Sequence, residues 1–282
     1  MRKTIVILLA VFLFGSAAVQ ADTPLRPINV QNAVMGNDEN ENAELRINFD
    51  WFRDHVGAGG VSTRTSVFNM PRVDIRQACT DCPIPFRIGV NTALNVGSSE
   101  NDAGGTEFNE HSAFGMGNLG ITLEAQLFQS DDARNAANLY INQTIPWIHN
   151  DLLVAGTLRP QNGVNAYGFQ TGLLYQFGLG DHLTWYGDVG YRFDVPSAGA
   201  VQHSIVYYNE AVLGLGDEQN FGLTLGLLGN SVYTDGIGTD LRVVPGIAAK
   251  IGDDSQLRFG FPIGLTRDSN DIGVQVGYFT AF

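Results

Sequence analysis

Apolar and polar residues alternate with a period of two along most of the chain. In the closing segment, 271–282, Ile272 and Val274 fall on one side, while Gly273 and Gln275 fall on the other. Successive side chains of a β-strand point to opposite faces, so this pattern predicts a strand with one apolar face.

The same alternation recurs in eleven earlier segments. They are 45–51, 67–77, 86–96, 119–127, 139–147, 169–177, 183–193, 204–215, 221–227, 241–251 and 257–265. It is less regular in 67–77, where Asn69 and Pro71 fall on the apolar side, and in 204–215. The polar side is rich in glycine, which suits an interior that must leave space. We therefore predict an all-β fold, a transmembrane antiparallel up-and-down β-barrel of about twelve strands, rather than a water-soluble sandwich.

The composition favours the same fold. Hydrophobic residues make up 44% of the chain, aromatic residues 10%, and 34 of the 282 residues are glycine. After the amino-terminal region no segment reaches the roughly 18 consecutive apolar residues of a transmembrane helix. A closed barrel satisfies every backbone polar group inside lipid without such a helix.

The connections between the predicted strands fall into two sets on opposite sides. The compact, turn-like set is 79–83, 130–135, 178–181, 216–219 and 252–255, and the longer set includes 97–113, 148–167 and 194–203. Membrane barrels typically have short periplasmic turns and longer outer loops. We therefore expect both termini on the periplasmic side, as an even strand count requires.

The amino terminus has the pattern of an export signal. Arg2 and Lys3 precede an apolar run from 4 to 14, and small residues surround Ala21. This predicts a cleaved signal peptide at 1–21 and export to the cell outer membrane. Residues 22–42 then form a periplasmic segment, short for a plug domain but able to reach into the lumen, and 43–282 form the barrel.

The charge limits the expected partners. The formal net charge is −13, which argues against nucleic acid. We expect contacts with outer-membrane lipid and lipopolysaccharide, with the barrel assembly machinery during biogenesis, and with a small-molecule solute. The barrel is expected to be a monomer without a cofactor or metal.

The carboxy-terminal part resembles a known family. Residues 243–282, "VVPGIAAKIGDDSQLRFGFPIGLTRDSNDIGVQVGYFTAF", and the earlier pieces "FGMGNLGITLEAQLF" and "FGLGDHLTWYGDVGYRF" resemble the outer-membrane transporters named for meta-pathway phenol degradation. The likeness covers roughly 114–282 and implies a channel for small organic, in particular aromatic, compounds. The end of the chain, with Tyr278 and Phe282, resembles the signal read by outer-membrane assembly machinery, although Thr280 departs from the usual residue type.

Projecting the alternation inward predicts a charged lumen. The basic members are Arg46, Arg72, Arg76, Arg87, Arg192, Arg242, Lys250 and Arg258, and the acidic members are Asp50, Asp74, Glu124, Asp188 and Glu210. Most basic members lie on the first three strands and the tenth and eleventh, which closure brings near each other. Such a wall could select anionic solutes, or the charges could simply brace the lumen.

Two cysteines, Cys79 and Cys82, stand in a C-x-x-C spacing. A thioredoxin-like centre needs a helix amino terminus, and a zinc site needs about four ligands. Neither is expected beside this predicted turn, so we predict a disulfide across it in an oxidising periplasm.

Short motifs indicate three alternative functions, a metal or pH-sensing site, a lipid hydrolase and a structural barrel. The histidines His55, His111, His149 and His203 are predicted at the outer rim, where a polar rim is favoured over a metal or pH-sensing site because no metal motif is matched. A lipid hydrolase would need Ser and His on one strand face, but Ser112 and Ser204 each directly follow a histidine, so no enzyme is expected. A structural or surface-interaction barrel would instead use the acidic stretches 37–44 and 99–111.

Overall fold

In the computed structural model all regular secondary structure of the described residues is β-strand. The described residues are 25–27, 29, 33, 35, 43–58, 61–103, 106–116, 118–146, 166–196, 201–216, 218–233, 238–252, 254–267, 269 and 271–281. The strands are β1 (Ala43–Ala58), β2 (Val61–Cys79), β3 (Phe86–Ala103), β4 (Thr106–Met116), β5 (Leu119–Gln129), β6 (Ala136–Ile145), β7 (Ala166–Leu179), β8 (Leu183–Pro196), β9 (Gln202–Leu215), β10 (Phe221–Val232), β11 (Thr239–Lys250), β12 (Ser255–Gly260), β13 (Ile263–Gly264) and β14 (Ile272–Ala281). Within these ranges no helix is long and apolar enough to cross a bilayer.

The fourteen segments form twelve barrel strands. β4 and β5 are two halves of one strand, because both pair with β3. β12 and β13 are likewise two halves of the strand between β11 and β14. β1 pairs antiparallel with β14, from Glu44 opposite Ala281 to Arg53 opposite Ile272, which closes the sheet. The structure thus confirms the predicted transmembrane antiparallel β-barrel of twelve strands.

The two faces of the wall differ in polarity. On β10, Leu223 and Leu225 are 47% and 57% exposed, whereas Thr224 between them is only 6% exposed. β5 shows the same pattern, with Leu123 exposed and Glu124 buried. A barrel whose outer face is apolar and whose inner face is polar has the arrangement that lipid outside and a polar lumen inside require.

Five compact turns lie at one end of the barrel, which we call the short-turn end. They occupy 80–85, 130–135, 180–182, 216–220 and 251–254, close to the predicted positions. Gly180 and Gly216 in two of these turns have φ values of 72° and 74°, a left-handed conformation that glycine adopts without strain.

The predicted long connection at 97–113 is wrong. β3 continues to Ala103 and β4 starts at Thr106, with Ser98 opposite Ser112 in the hairpin. Its polar, glycine-containing sequence has no apolar face, so the period-two pattern cannot reveal it. The hairpin extends the ladder of the barrel wall, because the same part of β3 pairs with β2 on its other side. The connection predicted at 194–203 is also shorter, since β8 runs to Pro196 and β9 begins at Gln202. Most of 148–167 lies outside the described residues.

The irregular alternation in 67–77 has a local cause. Asn48 and Asp50 of β1 pair with Arg72 and Asn69 of β2, so β2 contains one extra residue there. β3 shows the same shift against β2. Such a β-bulge, here beside Pro71, which has no N–H to donate, reverses the face on which successive residues lie.

Candidate functional site

The candidate site is the lumen, where most of the predicted charged residues are buried. Nine of them are buried: Arg46, Asp50, Asp74, Arg76, Arg87, Glu124, Glu210, Arg242 and Arg258. Asp188, Arg192 and Lys250 are half-buried. Arg72 belongs to β2, but its side chain lies outside the part of the chain that the structure describes.

A buried ion-pair network joins β1, β2, β3 and β5. Glu124 accepts hydrogen bonds from Arg76 and from Arg87, whose Nε lies 3.2 Å from the carboxylate. Arg76 also donates to Asp74 at 3.2 Å, and Arg87 Nη1 lies 3.3 Å from Glu44. Because every member is buried and the carboxylates are shared, these arginines brace four strands against one another.

Two further arginines have carboxylate partners on their own strands. Arg192 Nε donates to Asp194 at 2.8 Å, and Arg242 Nε donates to Asp240 at 2.8 Å. Glu44, Asp194 and Asp240 were not among the lumen residues predicted from the sequence. The period-two spacing could have revealed them, because each lies two residues from an inward-facing arginine and therefore on the same strand face.

A different polar group occupies the wall formed by β6, β7 and β8. The Tyr140 hydroxyl donates to Asp188 Oδ1 at 2.7 Å, and Gln170 Nε2 donates to the Tyr140 oxygen. A Cβ at Gly190 would collide with the Tyr140 hydroxyl, so glycine is needed there for the ring to lie along the wall. Asp188, unlike Glu124, therefore accepts its hydrogen bond from a neutral hydroxyl group and not from an arginine.

The described residues between 25 and 35, which we call the N-terminal segment, enter the lumen. On one wall the Tyr186 hydroxyl donates to Leu25 O at 2.9 Å, and Arg26 N donates to Gln256 Oε1 at 2.8 Å. Leu25 is buried against Tyr186, Val212 and Ala248. Main-chain groups that would otherwise be unsatisfied in the barrel interior are therefore paired with its side chains.

The same segment reaches the opposite wall. Asn138 Nδ2 donates to Ala33 O at 2.7 Å, and Met35 N donates to Gln129 Oε1 at 3.0 Å. Ala33 is packed against Ala133 and Ala136, which border the turn at 130–135. The N-terminal segment therefore crosses the lumen near the short-turn end, and the sequence alone had left its position open.

The cysteines form the predicted disulfide. Cys79 and Cys82 are bonded to each other across the turn that joins β2 and β3. With both sulfurs in this bond, the C-x-x-C spacing closes a turn rather than holding a metal.

Most of the remaining predicted residues lie on the outer wall or outside the described part of the chain. His203 is exposed and its Nδ1 lies 2.5 Å from the Tyr191 hydroxyl, whereas Ser204 is buried on the other face of β9. His55 and His111 belong to β1 and β4, but their side chains, like His149, lie outside the described part. Tyr278 is half-buried beside Ser255, and Phe282 is not described.

The fold has known counterparts among solved structures. It is similar to the COG4313 outer membrane channel from Pseudomonas putida F1, with a TM-score of 0.62 and 12% identity over 86% of this chain and 96% of that chain. Weaker similarities include the transport unit of the autotransporter AIDA-I from Escherichia coli, with a TM-score of 0.49, 9% identity and coverage of 87% and 91%. The CymD monoaromatic hydrocarbon channel gives a TM-score of 0.40, 9% identity and coverage of 87% and 90%.

No family model matches the chain, and no curated protein matches it in sequence. At 12% identity the similarity to the first structure concerns the barrel fold alone, and the two lower TM-scores add nothing to it. The resemblance to the phenol-degradation transporters therefore stays a prediction.

Proposed function

We propose that this protein is an outer-membrane channel through which small organic solutes diffuse, without catalysis. The observation that carries the proposal is a closed twelve-strand wall that is apolar outside and lined by charged and hydroxyl side chains inside. A polar lumen surrounded by lipid is the arrangement that diffusion of hydrophilic molecules across a membrane requires. The fold shared with an outer membrane channel supports it.

The short-turn end faces the periplasm in this proposal. Compact turns on the periplasmic side are the rule for outer-membrane barrels. The N-terminal segment, which crosses the lumen near that end, then acts as a restriction close to the periplasmic mouth. Solutes that pass must be small enough for the space that Leu25 to Met35 leave beside the walls.

Anionic and aromatic solutes are the candidates. The anionic class is supported by a small excess of positive charge among the buried side chains of the described lumen, where six arginines stand against five carboxylates. The aromatic class rests on the family that residues 114–282 resemble. The alternative is a structural barrel whose outer surface is the working part.

Liposome swelling tests the channel function. Purified protein is reconstituted and challenged with neutral sugars, organic anions and aromatic acids of increasing size. We expect the full-length protein to pass the smallest solutes, and a variant lacking residues 22–35 to pass all of them faster. Tyr186→Phe, which removes the hydrogen bond to Leu25 O, should fall between the two.

The matched control is Tyr207→Phe, which removes a hydroxyl near Ser231 on the outer wall and should swell like the unchanged protein. Impermeability of both the full-length and the shortened protein to every solute would contradict the channel and favour the structural barrel.

The charge preference is measured separately, from reversal potentials across a planar bilayer in a salt gradient. Anion preference is expected, and cation preference would contradict the anionic class of solutes.

A further inference from the structure

Three arginines surround one aromatic ring in the lumen. The Cζ atoms of Arg26, Arg46 and Arg258 lie 5.5, 5.4 and 5.7 Å from the centroid of the Phe279 ring. Arg26 belongs to the N-terminal segment, whereas Arg46 and Arg258 come from β1 and β12, which both pair with β14. The register explains the convergence, because Arg46 stands directly opposite Phe279 and Gln256 flanks it on the other side.

All four side chains are removed from solvent. The exposed fractions are 4% for Arg26, 2% for Arg46, 0% for Arg258 and 0% for Phe279. A buried guanidinium loses its hydration, which is unfavourable unless an anion and hydrogen-bond acceptors replace the water. Contact with one shared ring compensates for only part of that loss, because the ring accepts no conventional N–H···O hydrogen bonds.

The hydrogen-bond acceptors near Arg26 and Arg258 do not replace all of the water that these two side chains have lost. Arg258 Nη1 donates to Pro27 O, but Arg258 Nε and Nη2 have no hydrogen-bond partner among the described residues. Arg26 Nε and Nη1 also have no hydrogen-bond partner among the residues that the structure describes. These four buried nitrogens, on two different elements, thus belong to guanidinium groups whose Cζ atoms lie within 5.7 Å of the same ring centroid.

The nearby carboxylates are fewer than the cations and have other donors. Arg258 lies within electrostatic range of Arg26, Arg46, Glu44 and Glu210. Glu44 lies 4.0 Å from Arg46 Nη2 but also 3.3 Å from Arg87 Nη1, and Glu210 accepts a hydrogen bond from Asn29 N at 3.0 Å. Arg76 and Arg87, in contrast, converge on the carboxylate of Glu124. The Phe279 region therefore carries an excess of positive charge.

We propose that Arg26, Arg46 and Arg258 form a binding site for a small oxyanion in the lumen beside Phe279. Guanidinium groups present paired N–H donors that match the two oxygens of a carboxylate or a phosphate, and charge-assisted bonds of this kind are the strong ones. An organic carboxylate and inorganic phosphate share this chemistry.

The site also links the N-terminal segment to the wall. Arg26 N already donates to Gln256 on β12, two residues from Arg258. An oxyanion shared by Arg26 and Arg258 adds a charged contact between the same two elements. The inference deepens the proposed channel function, but it concerns binding and can be tested without conduction.

Isothermal titration calorimetry on the folded, full-length protein in detergent tests the site. The buffer contains Tris and chloride only, and the titrants are sodium phosphate in one arm and sodium benzoate in the other. We expect saturable binding of at least one of them. Arg258→Gln and Arg26→Gln should each weaken it about tenfold or more, the size expected for losing one charge-assisted bond.

Arg134→Gln is the matched control, because it removes an arginine from the exposed pair with Asp181 at the short-turn end. Its affinity should equal that of the unchanged protein. Arg26 lies outside the barrel strands, so Arg26→Gln keeps the test valid even where Arg258→Gln fails to assemble, which heat-modifiable migration on gels reveals. Binding of benzoate alone identifies an organic solute site, and binding of phosphate alone identifies an inorganic ion site.

The proposal is overturned if neither titrant binds saturably, or if a folded Arg26→Gln variant binds with unchanged affinity. Each result is distinct from a failure of the channel. A protein that conducts but binds neither anion contradicts only the arginine site. A protein that binds one but passes no solute contradicts only the proposed transport.

Discussion

Glu124 is the shared acceptor of two buried arginines, and its removal should be costly. In Glu124→Gln the neutral amide leaves Arg76 and Arg87 with less compensating charge inside the wall. Removing one member of a buried ion pair typically costs about 3–5 kcal/mol. We expect the free energy of unfolding, measured by urea titration in lipid vesicles, to fall by an amount in this range.

The control for Glu124→Gln is Asp181→Asn, which removes a carboxylate from a solvent-exposed pair with Arg134 at 3.3 Å. Exposed pairs contribute about 0–1 kcal/mol, so this variant should unfold almost as the unchanged protein does. Equal losses for the two variants would show that the Glu124 network does not brace the wall.

At the residue scale the sequence predicts the strand face on which a side chain lies better than it predicts the side chain's ion-pair partner. Alternation is enough to assign Arg76, Arg87 and Glu124 to the polar face, because a strand has only two faces. Their pairing depends on the register between β2, β3 and β5, which a period of two does not contain. Arg26 could not be found at all, because its position depends on how a segment without periodicity enters a lumen formed by distant strands.

The outer wall of β7, β8 and β9 contains a tyrosine that lies across a glycine. Tyr175 stands opposite Gly187, a Cβ at Gly187 would collide with its ring, and its hydroxyl donates to Asn209 Oδ1 at 2.6 Å. Gly187→Ala should displace the ring and break this bond. We expect a loss of about 1–3 kcal/mol, the usual cost of overpacking, measured as the shift in urea-induced unfolding in vesicles.

Gly226→Ala is the comparison for Gly187→Ala, since a Cβ there would meet Val244 at 3.4 Å, an ordinary contact. It should be neutral, or slightly stabilising because alanine restricts the unfolded chain. A Gly226→Ala variant less stable than Gly187→Ala would contradict the role assigned to the Tyr175 ring.

At the element scale the predictability of a strand depends on its environment. Segments such as 221–227 face lipid on one side and the lumen on the other, so the alternation is strong and the strand is evident from sequence. The hairpin of β3 and β4 between Ser98 and Ser112 has no apolar face, and its sequence therefore resembles a loop. The bulge beside Pro71 hides part of β2 for another reason, because one extra residue reverses the phase.

At the scale of the whole molecule, the buried charges of the lumen are nearly balanced, although the chain as a whole is acidic. The formal net charge is −13, whereas the buried side chains of the described residues include six arginines and five carboxylates, the latter being Glu44, Asp50, Asp74, Glu124 and Glu210. A preference for anions therefore depends on local groups of arginines, such as the one around Phe279, rather than on the total charge of the interior.

The direction in which the barrel lies in the membrane is a property of the whole molecule, and it can be tested on cells. An epitope inserted between Asp131 and Asp132, at the short-turn end, should be hidden on intact cells and detected after permeabilisation. An epitope inserted within 197–200, between β8 and β9 at the opposite end, should be detected on intact cells. Both signals in permeabilised cells show that both variants are made. Detection of the 131–132 epitope on intact cells would contradict the proposed orientation, and would move the N-terminal segment from the periplasmic mouth of the lumen to the outer one.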